Sequence, residues 1–164
     1  MSNSVGFTAE DEFSLNNRRR LSGPGLRTFL AAADQWDLTE EQRIRILGMP
    51  LHSSYQAWCR KARSGRPLVL CVDVLMRISA VLGIYGHLQG LHESGDEVMA
   101  WLHGPHVAAP YNGRAPIALM TTGSLEDLMA IRSFLAAAQQ GFYMAPNEID
   151  NGFIPYRDED IRWV

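Results

Sequence analysis

The side chains in this 164-residue chain best suited to bond-making chemistry are two cysteines, Cys59 and Cys71, and five histidines, His52, His87, His92, His103 and His106. A catalytic thiol needs a lowered pKa and a base held beside it. Both cysteines instead stand among apolar positions of segments with helical periodicity, where a thiol packs as a small hydrophobe. They are expected to be reduced and buried. Neither has CxxC spacing nor a neighbouring histidine, so neither a disulfide nor a zinc framework is supported. His103-Gly104-Pro105-His106 brings two imidazoles together without a carboxylate or thiol to complete a metal site. There is no phosphate-binding loop and no dinucleotide fingerprint. The expectation is a non-enzymatic protein with no cofactor and no metal, and a small cysteine hydrolase is the least supported alternative.

Chemistry that acts through charge is better represented. The formal net charge of −3 hides an uneven distribution. Residues 1–17 carry three acids and no base, residues 18–66 ten bases against four acids, and residues 67–164 five bases against eleven acids, giving −3, +6 and −6. A basic segment is thus joined to an acidic one, and the two suit different partners. In the basic segment, Ser53, Ser54, Tyr55 and Gln56 would begin a helix whose later turns carry Arg60, Lys61 and Arg63. The early positions could reach base edges or phosphates, and the cations would neutralise phosphates. Arg18-Arg19-Arg20 could act as an arm beside them.

The elements that position these groups read as helices throughout, so the fold class is all-α. Residues 1–25 are polar and close on Ser22-Gly23-Pro24-Gly25, which predicts a flexible N-terminal arm. Leu26, Phe29, Leu30 and Ala33 then form one apolar stripe ending near Trp36. Thr39-Glu40-Glu41-Gln42 is a capping box that opens a short helix through Leu47, and Gly48-Met49-Pro50-Leu51 stops it. With Ser53 or Ser54 as cap, the next helix covers about 54–64, facing Tyr55, Trp58, Cys59 and Ala62 inward. Two short helices around a Gly-containing turn make a helix-turn-helix candidate. An ordinary bundle with a solvated basic helix has the same pattern.

From about Val69 to Leu91, apolar residues at three- and four-residue steps predict the long core helix. A shorter helix follows through Val98, Trp101 and Leu102. Pro110-Tyr111-Asn112-Gly113 is turn chemistry, and Pro116–Met120 supplies about one helical turn. Ser124-Leu125-Glu126-Asp127 opens a last helix that runs to Gly141. Residues 142–164 lose the periodicity but hold Phe153, Ile154, Tyr156, Ile161 and Trp163 around Asp158-Glu159-Asp160, too many large apolar groups for a purely solvated extension.

The stretch Asn112-Gly113-Arg114-Ala115-Pro116-Ile117-Ala118-Leu119-Met120-Thr121-Thr122-Gly123, followed by a capped helix ending at Gly141, resembles the toxin-binding domain of the MbcA/ParS/Xre antitoxin family. Trp101, Asn112, Arg114, Pro116, Gly123 and Gly141 fall in that family's order. The stretch from Trp58 to Leu91, with Met76-Arg77-Ile78 leading to Leu82-Gly83-Ile84-Tyr85, is similar to its helix-turn-helix and long core helix. The resemblance covers about residues 26–141. It implies a helix-turn-helix domain at 26–91, a small helical toxin-binding domain at 92–141 that engages its partner through Asn112, Arg114 and Pro116, and an irregular tail at 142–164.

It further implies the antitoxin of a type II toxin–antitoxin pair, whose partner is a RES-domain toxin that consumes NAD or ADP-ribosylates a target. Such antitoxins form homodimers, assemble into larger complexes with toxin, and often repress their own operon. The start of the second helix here carries no cation, a departure on the DNA side. The tail suggests how a toxin site that binds an anionic nucleotide could be blocked: Asp158, Glu159, Asp160 or the Val164 carboxylate would meet its phosphate-binding arginines, with Tyr156 or Trp163 as apolar anchor. The alternative is a helix-turn-helix regulator without a toxin partner. The first residues lack the order of a signal peptide and no uninterrupted apolar run reaches bilayer length, so the expected location is the cytoplasm, with no membrane partner.

Overall fold

Ser14 opens the first helix, its hydroxyl accepting from the Asn17 N–H at 3.4 Å. The computed structural model describes residues 14–142, and among these every regular element is a helix, so the chain is all-α there. They are α1 (Leu15–Gln35), α2 (Glu40–Ile46), α3 (His52–Arg63), α4 (Val72–Leu91), α5 (Gly95–His103), α6 (Pro116–Met120) and α7 (Leu125–Gln139).

The expected arm is corrected from residue 14 onward, since α1 begins ten residues before Gly25 and carries Pro24 inside it. Its anchor is long-range. The buried Ser22 hydroxyl donates to Arg18 O at 2.6 Å and accepts from Leu70 N–H at 2.9 Å, and Arg18 Nε donates to Leu70 O at 3.0 Å. Leu70 therefore has both backbone groups satisfied by α1, and the chain around it stays extended. That is why α4 starts at Val72 and not at the expected Val69. Cys71 lies at the N-cap of α4 and is exposed, a second correction, whereas Cys59 is buried as expected.

The Thr39 capping box is formed, with Gln42 N–H to Thr39 Oγ1 at 3.2 Å and Thr39 N–H to Gln42 Oε1 at 2.9 Å. At its other end α2 closes on Gly48, whose φ of +87° suits glycine, with Met49 N–H bonded to Ile44 O at 2.9 Å and Gly48 N–H to Arg45 O at 3.1 Å. The start of α3 differs from the expectation. Leu51 occupies the N-cap without any side-chain cap, and Ser53 and Ser54 are already in the first turn. The closing bond from Tyr55 N–H to Leu51 O fixes this register, which buries Tyr55, Cys59 and Ala62 together.

Helix α4 is the centre, packed on one side against α1 and on the other against α7, with α3 on α1 and α6 between α5 and α7. By length and composition alone α4 could cross a membrane, although Asp73 and Arg77 interrupt its apolar residues; here it is the core helix. Gly83 lets α7 come close, because a Cβ there would lie 2.5 Å from Arg132 Nε. Four residues further along α4 and seven along α7, His87 and Gln139 meet through a 2.6 Å bond between Nδ1 and Oε1. One contiguous set of buried residues runs from Leu26 through Trp36, Ile84 and Tyr111 to Leu135. The units expected at 26–91 and 92–141 thus share a core. Each large apolar side chain buried in it contributes about 1.5–3 kcal/mol.

Candidate functional site

Two surfaces hold the residues singled out from sequence. The first is the pair α2–α3. Ser53 is exposed, Ser54 and Gln56 are half-buried, and Arg60, Lys61 and Arg63 are exposed on the last turns of α3. These three cations and Arg66 have no ion-pair or hydrogen-bond partner among the described residues. Arg27 on α1 joins them, its guanidinium donating to Ala62 O at 3.1 Å. The start of α3 is different in character. Gln56 Nε2 donates to both Glu40 carboxylate oxygens, at 3.0 and 2.9 Å, and His52 Nε2 pairs with the same carboxylate. The amide that could have read a base edge is engaged by an acid, and that acid would stand beside any phosphate brought to this end.

Between these helices a cavity of about 270 Å³ is lined by Glu40, Arg43, Tyr55, Cys59 and Arg63. It is the cavity that holds a cysteine, and burial there disfavours the thiolate. Burial pushes the Cys59 thiol up, and the hydrogen bond from Tyr55 only partly opposes this. Tyr55 is itself pushed up, chiefly by burial. No histidine lines the cavity, so the thiol has no base.

The second surface is the segment from Trp101 to Pro116. His106 N–H donates to Arg114 O at 3.2 Å and Gly113 N–H to His106 O at 2.7 Å, which closes a loop. A stack of rings fills it: Trp101 with His106 at 5.0 Å, and Tyr111 edge-on to both Trp101 at 5.7 Å and Phe134 at 5.1 Å. His106 Nε2 also reaches Trp101 O at 2.8 Å. Tyr111 is fully buried, its hydroxyl has no partner among the described residues, and burial pushes its pKa up. Out of this base project Asn112, at φ +49°, Gly113 and Arg114, all exposed. Among the described residues the Arg114 guanidinium is held by a 3.4 Å bond from Nε to Tyr111 O, and its outer nitrogens have no partner there. Pro116 is buried as the first residue of α6 and supports the loop from below.

Arg77, on α4, is a buried structural tie to which the sequence pattern assigned no role. Although only 9% exposed, it donates from Nε to Asp73 Oδ2 at 2.7 Å, and from one terminal nitrogen to Gly123 O at 2.8 Å and Ile46 O at 3.5 Å. It therefore ties the end of α2 to the loop before α7. Met49 reaches that loop too, its methyl 3.0 Å from where a Cβ on Gly123 would be. A cation at a core-facing position of the most apolar helix, with Asp four residues earlier, was the available signal. For Glu40 there was none. The tail residues Tyr156, Asp158, Glu159, Asp160, Trp163 and Val164 lie outside the described residues.

No family model matches the chain. It is similar to the uncharacterized protein y4oB of Sinorhizobium fredii, with 28% identity over 116 residues, which is 71% of this chain and 84% of that one.

Proposed function

We propose that this protein is an antitoxin that binds and blocks the active site of a RES-domain toxin, an NAD-consuming or ADP-ribosylating enzyme, and that it is itself no enzyme. The observation that carries this reading is the exposed Asn112-Gly113-Arg114 turn, held by a buried aromatic stack at the residues that resemble the family's toxin-binding motif. A turn preorganised in this way loses little entropy on docking, and Arg114 offers free donors to a carboxylate or phosphate. Tyr156, Asp158, Glu159, Asp160, Trp163 and the Val164 carboxylate then serve as the nucleotide-mimicking end that enters the toxin.

The helix-turn-helix domain at 26–91 contacts operator DNA through phosphates, from Arg60, Lys61 and Arg63, in a homodimer that assembles further with toxin in the cytoplasm. Base readout from Ser53, Ser54 and Gln56 is the weaker part of the reading, because Glu40 holds the Gln56 amide. That same feature disfavours the alternative, a DNA-reading regulator without a toxin.

The test is co-expression with the product of the adjacent gene. Co-purification with a RES-type protein, and suppression of its NAD loss by equimolar antitoxin, is the expected result. Arg114→Glu should weaken suppression at least tenfold with the fold intact, and deletion of 143–164 should abolish it. NAD loss that proceeds unchanged with the intact chain present overturns the proposal.

A further inference from the structure

Between α1 and α7, one face of α4 stays open to solvent and floors a channel of about 430 Å³. Leu21 of α1, Leu75, Met76 and Leu82 of α4 and Met129 of α7 line it, with Leu21 42% exposed, Met76 38% and Met129 39%. Apolar side chains gathered from three helices around one concavity mark an interaction surface. Exposed Leu91 and Val107 border a second groove, beside Trp101, so exposure by itself names no occupant. The charges beside this channel do. Glu126, exposed, and Arg132, half-buried in the channel wall, stand three residues before and three after Met129 on α7. At about 100° per residue both lie about 60° from Met129, on opposite sides of it, and about 9 Å apart along the helix axis. That spacing is too long for the two to meet within their own helix. Neither has a hydrogen bond or ion pair among the described residues. The Arg132 guanidinium is laid across α4, where a Cβ on Gly83 would stand 2.5 Å from its Nε.

We propose that the occupant of this channel is a second copy of the chain, docked across a two-fold axis at Met129 with Glu126 of each copy directed at Arg132 of the other. A two-fold contact sets a surface against itself, so the surface must be self-complementary. The row on α7 runs acid, apolar, base. An antiparallel crossing of α7 on α7 meets that row with its own copy in reverse, apolar on apolar at the centre and acid on base at both ends. A parallel crossing would set acid on acid and base on base. Both charged side chains are long, which lets them span the offset between crossed helices. Met76 and Met129 are unbranched and adapt to a wall that must accept a copy of itself. A partner of uniform charge would satisfy only one end of the row. The antitoxin reading calls for a homodimer without locating it, and this surface deepens that one part. The contact requires neither toxin nor DNA, so the two can fail separately.

Sedimentation equilibrium of the full-length protein from about 1 to about 100 μM, a span that covers micromolar dissociation constants, tests it. The chain should be a dimer at the upper end. Met129→Glu, Glu126→Arg and Arg132→Glu should each raise the dissociation constant at least about tenfold, since like charges or an unpaired carboxylate then stand in the contact. An equimolar mixture of Glu126→Arg with Arg132→Glu should dimerise again, because each chain then supplies the charge that the other needs, and native mass spectrometry identifies the heterodimer. A defect confined to one chain, such as a lost first-turn acid or lost packing on Gly83, is not restored by mixing. A parent chain that is monomeric throughout overturns the proposal. So does a dimer indifferent to all three changes, whose interface lies elsewhere, and so does a mixture that stays monomeric. Neutralisation of the toxin by a chain that stays monomeric overturns this proposal and leaves the antitoxin reading standing. A dimer with the expected charge behaviour that neutralises nothing does the reverse.

Discussion

Replacing Arg77 by methionine isolates what its guanidinium does, since methionine keeps most of the buried volume and removes every donor. The bond to Gly123 O, 2.8 Å long from a charged donor in a buried setting, is worth about 1.5–3 kcal/mol with the cost of the orphaned carbonyl included. The 3.5 Å contact to Ile46 O adds at most a few tenths of that. The ion pair with Asp73 adds about 0–1 kcal/mol, because the Asp73 side chain is 54% exposed and rehydrates when its partner is gone. Arg77→Met should therefore lower unfolding stability by about 2–4 kcal/mol, against a total of about 5–15 for a domain of this kind. Asp73→Asn should cost no more than about 1 kcal/mol. Urea melts with purified full-length protein, read by far-ultraviolet circular dichroism and by tryptophan fluorescence, supply both values. Because Arg77 ties the α2–α3 turn to the loop before α7, the two probes should also separate in Arg77→Met while coinciding in the parent. A loss below about 0.5 kcal/mol, or an Asp73→Asn effect as large as that of Arg77→Met, would refute the assignment of stability to the carbonyl bonds.

Three other outcomes follow from separate features. Gly48→Ala should destabilise by at least about 1–2 kcal/mol, since φ is +87° and the new Cβ would stand 2.8 Å from Arg77 Nε, whereas Gly86→Ala, with open space around it in α4, should stabilise by about 0.5–1 kcal/mol in the same melts. Cys59 should resist iodoacetamide at pH 8 while exposed Cys71 reacts, because burial raises the Cys59 pKa above its ordinary 9.0; as the folded pKa is the higher one, stability is full below that ordinary value and falls as pH rises past it, with Tyr111 adding in the same sense above its ordinary 10.0. If the protein binds DNA from its operon region, Lys61→Ala and Arg60→Ala should each reduce the slope of log affinity against log salt by about one unit, and Glu40→Gln should tighten binding; unchanged slopes would make the α3 cations a solvated face.

What was legible in the sequence is what local chemistry decides. The Thr39 box, the Ser124 cap bonded to Asp127 N–H, and the ends at Gly48 and Gly141 are rules about neighbouring residues, and all four hold. The helical stripes were legible too, because a period of 3.6 survives whatever the stripe packs against. The misreadings share one cause. Ser22-Gly23-Pro24-Gly25 has the composition of a break, but Ser22 is bonded to a backbone 48 residues away, and that contact outweighs the propensity of the two glycines and the proline. The same contact shortens α4 and exposes Cys71. Arg77 escaped notice for a related reason, since its partners at 46 and 123 lie 31 and 46 residues away and a single cation in an apolar helix signals burial only once those carbonyls are known. Of the candidate site, Asn112, Arg114 and Pro116 could be named from order alone, but not the ring stack that aims them.

The structure also changes the meaning of the basic segment. Its ten cations against four acids suggest a strong phosphate-binding surface, yet much of that charge is already used inside the fold. Arg18 holds Leu70 O, Arg27 caps α3 at Ala62 O, Arg43 bonds Leu38 O and pairs with Asp34, and Arg45 pairs with Glu41. At the end of α3 the unengaged cations are Arg60, Lys61, Arg63 and Arg66. Four phosphate contacts per chain, if DNA is bound there, would correspond to a salt slope of about −3.6, from about −0.9 for each phosphate neutralised, and the Glu40 carboxylate at the opposite end of α3 would only lower that magnitude. A slope near −9 per chain, as the count of ten would suggest, would require the internal bonds of α1 and α2 to open on binding. If the protein binds a duplex, the fold leaves the basic segment to contact phosphates, and sequence discrimination must then come from the exposed Ser53, from DNA shape, or from a Gln56 released by Glu40.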